Sequence, residues 1–215
     1  MTGSPRQSLP APSTRDGRAA DAAPQAGRLG ELPEQGTAPA RFREVLGHFC
    51  TGVTVVTAYA ADAGSGEGPV GFACQSFAAL SLDPPLVLFC VARTSRTWPL
   101  LAAAGCFAVN VLAEHQREVS AAFGSRGGDR FSSVGWHPAP SGAPLLDGAL
   151  TWVDCEVEAV HPAGDHYVVI GRVTALGETS QDRPLLFHRG RYTVTEPVPD
   201  VLSALMPWPR PDDWL

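Results

Sequence analysis

The fold is constrained most by a succession of short apolar runs, rich in β-branched or aromatic residues, each closed by a turn-forming cluster. Val53–Tyr59 (VTVVTAY), Val70–Phe77, Leu86–Val91, Cys106–Leu112 (CFAVNVL), Ala149–Ala159, Tyr167–Ala175 and Phe187–Thr195 are such runs. Their composition and spacing predict strands. The Gly-rich connector AADAGSGEGP folds the first run back onto the second as a hairpin with a long loop. Helical signals are fewer. Phe42, Val45, Leu46 and Phe49 recur at three- and four-residue spacing and stop near Thr51-Gly52. Trp98–Ala104 is rich in Leu and Ala, with Pro99 in its first turn, and Glu114–Phe123 is a polar helix. Hairpin-like joins, in place of alternating β–α units, predict a mainly β fold with short helices: a closed or nearly closed antiparallel barrel.

The 215 residues suit one domain with tails. Residues 1–38 are poor in aliphatic side chains and lack hydrophobic periodicity, which predicts a disordered tail. The domain is expected over 39–195, followed by a Pro-bearing tail, 196–215, that contains Trp208 and Trp214. No window approaches the roughly 18 apolar residues of a membrane span, and no basic segment followed by an apolar core opens the chain. Four Arg stand against four acids in residues 1–40, unlike an organelle transit peptide. A cytoplasmic protein without a membrane partner is expected.

The net charge of −6 opposes nucleic-acid binding. All 16 basic residues are Arg, which excludes a Schiff-base lysine or a Walker-type phosphate lysine. Phosphate recognition therefore falls to Arg, hydroxyls and backbone N–H groups. Cys50, Cys74, Cys90, Cys106 and Cys155 show no CxxC spacing, and most lie in strand-like runs as small buried hydrophobes. Their odd number points to a reducing compartment.

Gly64, Gly66 and Gly68 fail as a dinucleotide fingerprint, because Pro69 follows and no helix pattern does. There is no GxSxG, no HExxH and no paired Cys/His spacing, so no metal is expected. Five clusters remain, each open to two readings. Ser95, Arg96 and Thr97 in ARTSRTW are either helix caps or an anion site. Arg126, Arg130 and Phe131 are a solvated loop or a ligand contact. Arg189, Arg191 and Tyr192 in HRGRY form a hairpin turn, with Tyr192 in the core, or approach a site. His166, beside Asp165 in HPAGDH, is a turn residue or a histidine at the barrel mouth. The segment Ala73–Phe77 interrupts an apolar run with small and hydroxylic residues, as a strand end or as a ligand edge.

The order of FREVLGHFCTGVTVVTA, VGFACQSFAALSLDPPLVLFCVARTSRTW, AGCFAVNVLAEHQREVSAAFG, DRF, GDH and PLLFHRGRY, from Arg41 to Tyr192, resembles the short-chain flavin reductases. The resemblance implies the FMN-binding split barrel, a homodimer, and hydride transfer from NADH or NADPH to FMN or FAD. It also implies delivery of reduced flavin to a partner monooxygenase. By the same resemblance Ala73, Cys74, Gln75, Ser76 and Phe77, with Ser81, line the isoalloxazine and ribityl chain. Ser95, Arg96 and Thr97 hold the phosphate, Phe131 approaches the flavin from its loop, and His166 meets the nicotinamide as the catalytic residue. Tyr192 belongs to the closing motif near the site. Gln75 stands where the family usually has Asn, so its side-chain reach differs while backbone contacts persist. The rival readings are a flavin-binding electron-transfer or sensor barrel and an oxidase resembling pyridoxamine-phosphate oxidases.

Overall fold

The computed structural model describes residues 38–61 and 66–196. The expected disordered tail 1–38, apart from Ala38, and the tail 196–215, apart from Glu196, lie outside the described residues. The elements in chain order are α1 (Pro39–Leu46), β1 (Thr51–Gly52), β2 (Thr54–Ala60), β3 (Gly68–Cys74), β4 (Ala78–Leu82), β5 (Pro85–Ala92), α2 (Trp98–Ala104), β6 (Cys106–Val111), α3 (Arg117–Gly124), β7 (Trp136–Pro138), β8 (Pro144–Leu146), β9 (Thr151–Ala163), β10 (His166–Leu176), β11 (Leu186–His188) and β12 (Arg191–Thr193). No helix among the described residues is long and apolar enough to cross a membrane.

Seven strands form one antiparallel sheet in the order β3-β2-β6-β9-β10-β5-β4. Its two edges, β3 and β4, are consecutive in sequence and are joined by Gln75, Ser76 and Phe77 alone. Laid flat at about 4.8 Å per strand, those edges would stand about 29 Å apart. A three-residue link spans at most about 14 Å. The sheet must therefore roll up, and it does so without β3 pairing to β4. A barrel with one unpaired seam results, and Gln75–Phe77 runs along that seam.

Alternation along β2 supplies two cores. Val56 and Ala58 point into the barrel with Phe89, Val91, Phe107, Val109, Cys155 and Val169, whereas Val53 and Val55 face a second cluster with Leu112, Phe123, Leu146 and Leu185. Phe89 and Phe107 are fully buried and meet edge to face at 5.2 Å between centroids. Each such ring contributes about 1.5–3 kcal/mol of burial. Helix α2 closes one end of the barrel by inserting Trp98 and Leu101 into the same cluster. It stops at Gly105, whose φ of 71° is the left-handed cap that glycine adopts without strain.

Buried polar groups pin the second cluster's side. Asn110 donates to the Val55 and Pro144 carbonyls and to Thr57 Oγ1, and its own oxygen accepts the Leu146 amide at 2.8 Å. Asp154, fully buried, accepts the Ser141 amide and hydroxyl at 2.9 and 2.6 Å. Both groups are thus satisfied, as buried polar atoms must be.

Three local readings are corrected. The run Phe187–Thr195 is a hairpin, because Arg189 and Gly190 take φ values of 49° and 77° and turn the chain between β11 and β12. Strand β4 escapes a composition-based reading, since AALSL is short and abuts Asp83-Pro84-Pro85. Helix α3 begins at Arg117, not Glu114, because the Glu114 amide is committed to the Arg183 carbonyl and Ala113 bridges Pro184.

Candidate functional site

The seam creates the site. Where two rolled edges fail to pair, backbone and small side chains face solvent beside the barrel core, and a cleft of about 560 Å³ opens there. That volume lies within the range that holds a cofactor-sized ligand. One wall is the end of β3 and the seam, Phe72 to Ser76, and the opposite wall is Cys90, Val91 and Ala92 of β5 with Ser95 beyond. His166 enters from β10, Ser120 and Gly124 from α3, and Phe187 and Tyr192 from the β11–β12 hairpin.

Ser76 ties the walls together. Its hydroxyl accepts the Cys90 amide at 2.8 Å and donates to the Cys90 carbonyl at 3.1 Å, which carries the β4–β5 pairing two residues past Ala78↔Leu88. The Cys74 thiol lies 3.3 Å from the same hydroxyl. Burial, partly offset by Ser76, pushes that thiol above its ordinary value. Cys74 is accordingly a neutral wall atom and not a nucleophile.

The end of β5 organises the mouth. Ser95 Oγ accepts the Trp98 amide at 3.2 Å, which orients the first turn of α2, and among the described residues its own O–H has no acceptor. His166 pairs across the ladder with Ala92, which brings its ring beside Ser95. Its Nδ1 lies 2.7 Å from Asp165 Oδ1, leaving Nε2 for a ligand. That hydrogen bond, then the imidazole's charge, holds the Asp165 carboxyl below its usual range. The turn is locked by the Arg93 amide donating to the Asp165 carbonyl at 3.0 Å, and the Arg93 guanidinium sits 5.4 Å over the Tyr167 ring. Among the described residues the lining contains no carboxylate.

Of the residues singled out in the sequence, Ala73, Cys74, Gln75, Ser76, Ser95, His166 and Tyr192 converge on this cleft. The others do not line it. Phe77 turns back against the barrel core, and Ser81 pairs with Leu86 on β4. Arg96 is exposed one residue beyond Ser95. The Thr97 hydroxyl accepts from Arg130, whose guanidinium also bonds the Gly71 and Ser125 carbonyls and so bolts its loop to β3. The half-buried Phe131 ring packs edge-on against Phe123 at 4.9 Å and beside Trp136, against the second core. Sequence reasoning missed Val53, Phe72, Cys90, Val91, Ala92, Ser120, Gly124 and Phe187. Of these only Phe187 carried a local signal, its place beside HRGRY; it packs edge-on against Tyr192 at 5.4 Å between centroids, and Tyr192 donates to Ser120 Oγ at 3.0 Å.

Residues 46–196 match the family model described as the flavin reductase like domain, and the chain belongs to that family. It is 51% identical over 193 residues to the reductase subunit HsaB of a flavin-dependent monooxygenase from Rhodococcus jostii (strain RHA1), covering 86% of this chain and 96% of that protein. Among solved structures, nitrilotriacetate monooxygenase component B from Mycobacterium thermoresistibile superposes with a TM-score of 0.70 at 50% identity, over 80% of this chain and 93% of that one. The NADH:FAD oxidoreductase SgcE6 of Streptomyces globisporus, in complex with NAD and FAD fragments, gives a TM-score of 0.68 at 35% identity, over 74% and 93%. The protein is a flavin reductase, an oxidoreductase on the split-barrel fold.

Proposed function

We propose that the seam cleft binds FMN or FAD and that the chain reduces it with NADH, releasing reduced flavin to a partner monooxygenase in the cytoplasm, with the domain spanning 39–195. The carrying observation is the unpaired seam, where the Ala73–Ser76 backbone faces Cys90–Ala92 across a cleft that His166 and Ser95 border. The relatives' names as monooxygenase reductase components support the partner, and SgcE6's name supports NADH as donor. The flavin ring, once bound, accepts hydride at N5, and one proton from solvent completes its reduction.

The chain's own residues bind, orient and exclude water. Ala73 to Ser76 read the ring edge through their backbone, Ser95 donates to the ribityl phosphate, and Arg96 adds charge from the rim. His166 Nε2 hydrogen-bonds the nicotinamide carboxamide, with Nδ1 anchored by Asp165. Phe187 and Tyr192 close the far end. The test is oxidation of NADH and of NADPH by the purified protein with FMN, FAD or no added flavin. Oxidation that saturates with flavin is expected; flavin binding without oxidation would reduce the chain to a flavin-binding module.

The same reading includes a homodimer. Helix α1 has no buried residue, and Phe42, Val45, Leu46 and Phe49 are 49–75% exposed along one side. An eight-residue helix does not persist alone in water, where about 12–15 residues are needed. A second copy, docked isologously, covers this face with the same four side chains. The Phe42→Ser/Phe49→Ser double variant is expected to run as a monomer in light scattering where the wild type runs as a dimer; a monomeric wild type would discard the dimer.

A further inference from the structure

We propose that Arg130 is a positioning residue for the flavin phosphate: it holds the Ser95 end of the seam cleft, acting through Thr97. This rests on the seam cleft being the flavin site, and it adds a side chain that does not itself line that cleft. One half-buried guanidinium ties three elements together. Its Nη1 donates to the Gly71 carbonyl of β3 and to Thr97 Oγ1 at 3.2 Å, and its Nη2 donates to the Ser125 carbonyl at the end of α3 at 2.7 Å. Each of these partners adjoins the cleft. Gly71 precedes Phe72, Ser125 follows Gly124, and Thr97 stands two residues after Ser95, while Phe72, Gly124 and Ser95 all line it. The spacing of three walls is therefore set by one planar fork, a geometry that a flexible ammonium does not supply.

The local structure makes those acceptors available. Strand β3 is an edge of the seven-stranded sheet, so a side chain and not a further strand reaches it at Gly71. Thr97 is the N-cap residue of α2, yet its hydroxyl makes no capping bond, and Ser95 Oγ takes the Trp98 amide in its place. The turn from Ser95 to Thr97 is thus held at one end by α2 and at the other by Arg130. The loop that carries Arg130 is itself anchored. Asp129 Oδ1 accepts the Phe131 amide at 3.0 Å, the Asp129 carbonyl accepts the Ser132 hydroxyl at 2.7 Å, and the Phe131 ring packs on Phe123 of α3. A ligand contact is precise when such a supporting shell locks it. All three acceptors of Arg130 are neutral, so none cancels its charge, which favours an anion beside the turn.

The experiment compares full-length wild type with Arg130→Gln, Thr97→Val and the double variant. Binding of riboflavin, FMN and FAD is titrated by flavin fluorescence, kcat and the KM for FMN are measured in NADH oxidation, and Tm is recorded. Riboflavin is the control, because it has the ring and the ribityl chain without the phosphate. Arg130→Gln is expected to bind FMN and FAD about tenfold more weakly, the scale of one charge-assisted hydrogen bond, with riboflavin within about twofold of wild type. In turnover the loss should fall on the KM for FMN and leave kcat in place. Thr97→Val removes the acceptor while keeping the branched shape, and should weaken FMN several-fold; the double variant should be no weaker than Arg130→Gln, because both substitutions cut one route. If Arg130→Gln does not fold, the riboflavin comparison on Thr97→Val decides alone.

Wild-type FMN affinity in Arg130→Gln, or equal losses for riboflavin, FMN and FAD, would overturn the proposal and leave the three bonds as a loop anchor. Losses that simply multiply in the double variant would overturn it too, since Thr97 would then act independently of Arg130. When wild type prefers FMN to riboflavin, these failures remove Arg130 alone. A wild type without that preference takes down the placing of phosphate at Ser95 as well, and one that binds no flavin ends the reading of the cleft.

Discussion

The two sides of the barrel use one sheet for opposite ends. On the wall where β10 and β5 run side by side, their ladder is continuous from His166 to Arg172, and Phe89, Phe107 and Val169 behind it are fully buried. On the seam side no ladder joins β3 to β4, and the Ser76 hydroxyl in the link between them bonds β5 at Cys90. The paired wall spends its backbone hydrogen bonds internally and stabilises the chain. The seam leaves backbone and hydroxyl groups facing the cleft. Stability and binding are thus separated by where the rolled sheet stops pairing, and residues on each side should respond differently to substitution.

The sharpest break of that contrast lies in the wall. Phe107→Ala removes a ring packed on Phe89 and is expected to cost about 3–5 kcal/mol, read as a lower denaturant midpoint. A change below about 1 kcal/mol would mean that the barrel core collapses around the loss. At the seam side, His166→Ala is expected to leave stability unchanged while raising the KM for NADH about tenfold, or about 1.4 kcal/mol. Flavin affinity should not move; unchanged kinetics for both substrates would remove His166 from the site. Ser76→Ala tests the junction between the regions. It leaves the Cys90 amide without its acceptor, and a stability loss of about 1 kcal/mol should accompany a several-fold weaker flavin affinity. Loss of stability alone would make Ser76 a strut with no part in binding.

The smallest expected effect is confined to alkaline pH. Burial, then the nearby Asp154 charge, pushes the Cys155 thiol from 9.0 to about 12. With a folded value above the unfolded one, its contribution is fully present below pH 9.0 and is lost as pH rises toward about 12. Wild type should therefore lose more stability over that window than Cys155→Ala does, while at neutral pH the thiol stays unreactive. Exposed Cys50 should react first with a thiol reagent, and labelling of Cys155 in the native protein would contradict its burial.

Much of the fold was legible along the chain. Helix α2 was legible over Trp98–Ala104, because Leu and Ala fill it and Pro99 marks its first turn. The hairpin of β2 with β3 followed from β-branched runs around a Gly-rich connector. The β11–β12 hairpin did not, since its turn depends on the positive φ of Arg189, a residue type that rarely signals one. In the site, Ala73–Ser76, Ser95, His166 and Tyr192 were reached through the family's motifs. Thr97 and Phe131 were assigned to the ligand by the same motifs, yet one is engaged by Arg130 and the other packs against a core.

Composition and patterning by themselves determined the class of fold and the absence of lysine chemistry. Local propensity and side-chain inventory are properties of neighbouring residues, and a sequence displays them directly. Only the tertiary structure decided that Gln75–Phe77 crosses between the two edges of one sheet, that Cys90–Ala92 faces it, and that Tyr192 reaches the same cleft. Those relations arise from the rolling of seven strands. Which residues meet across the resulting seam depends on register and curvature summed over the whole sheet.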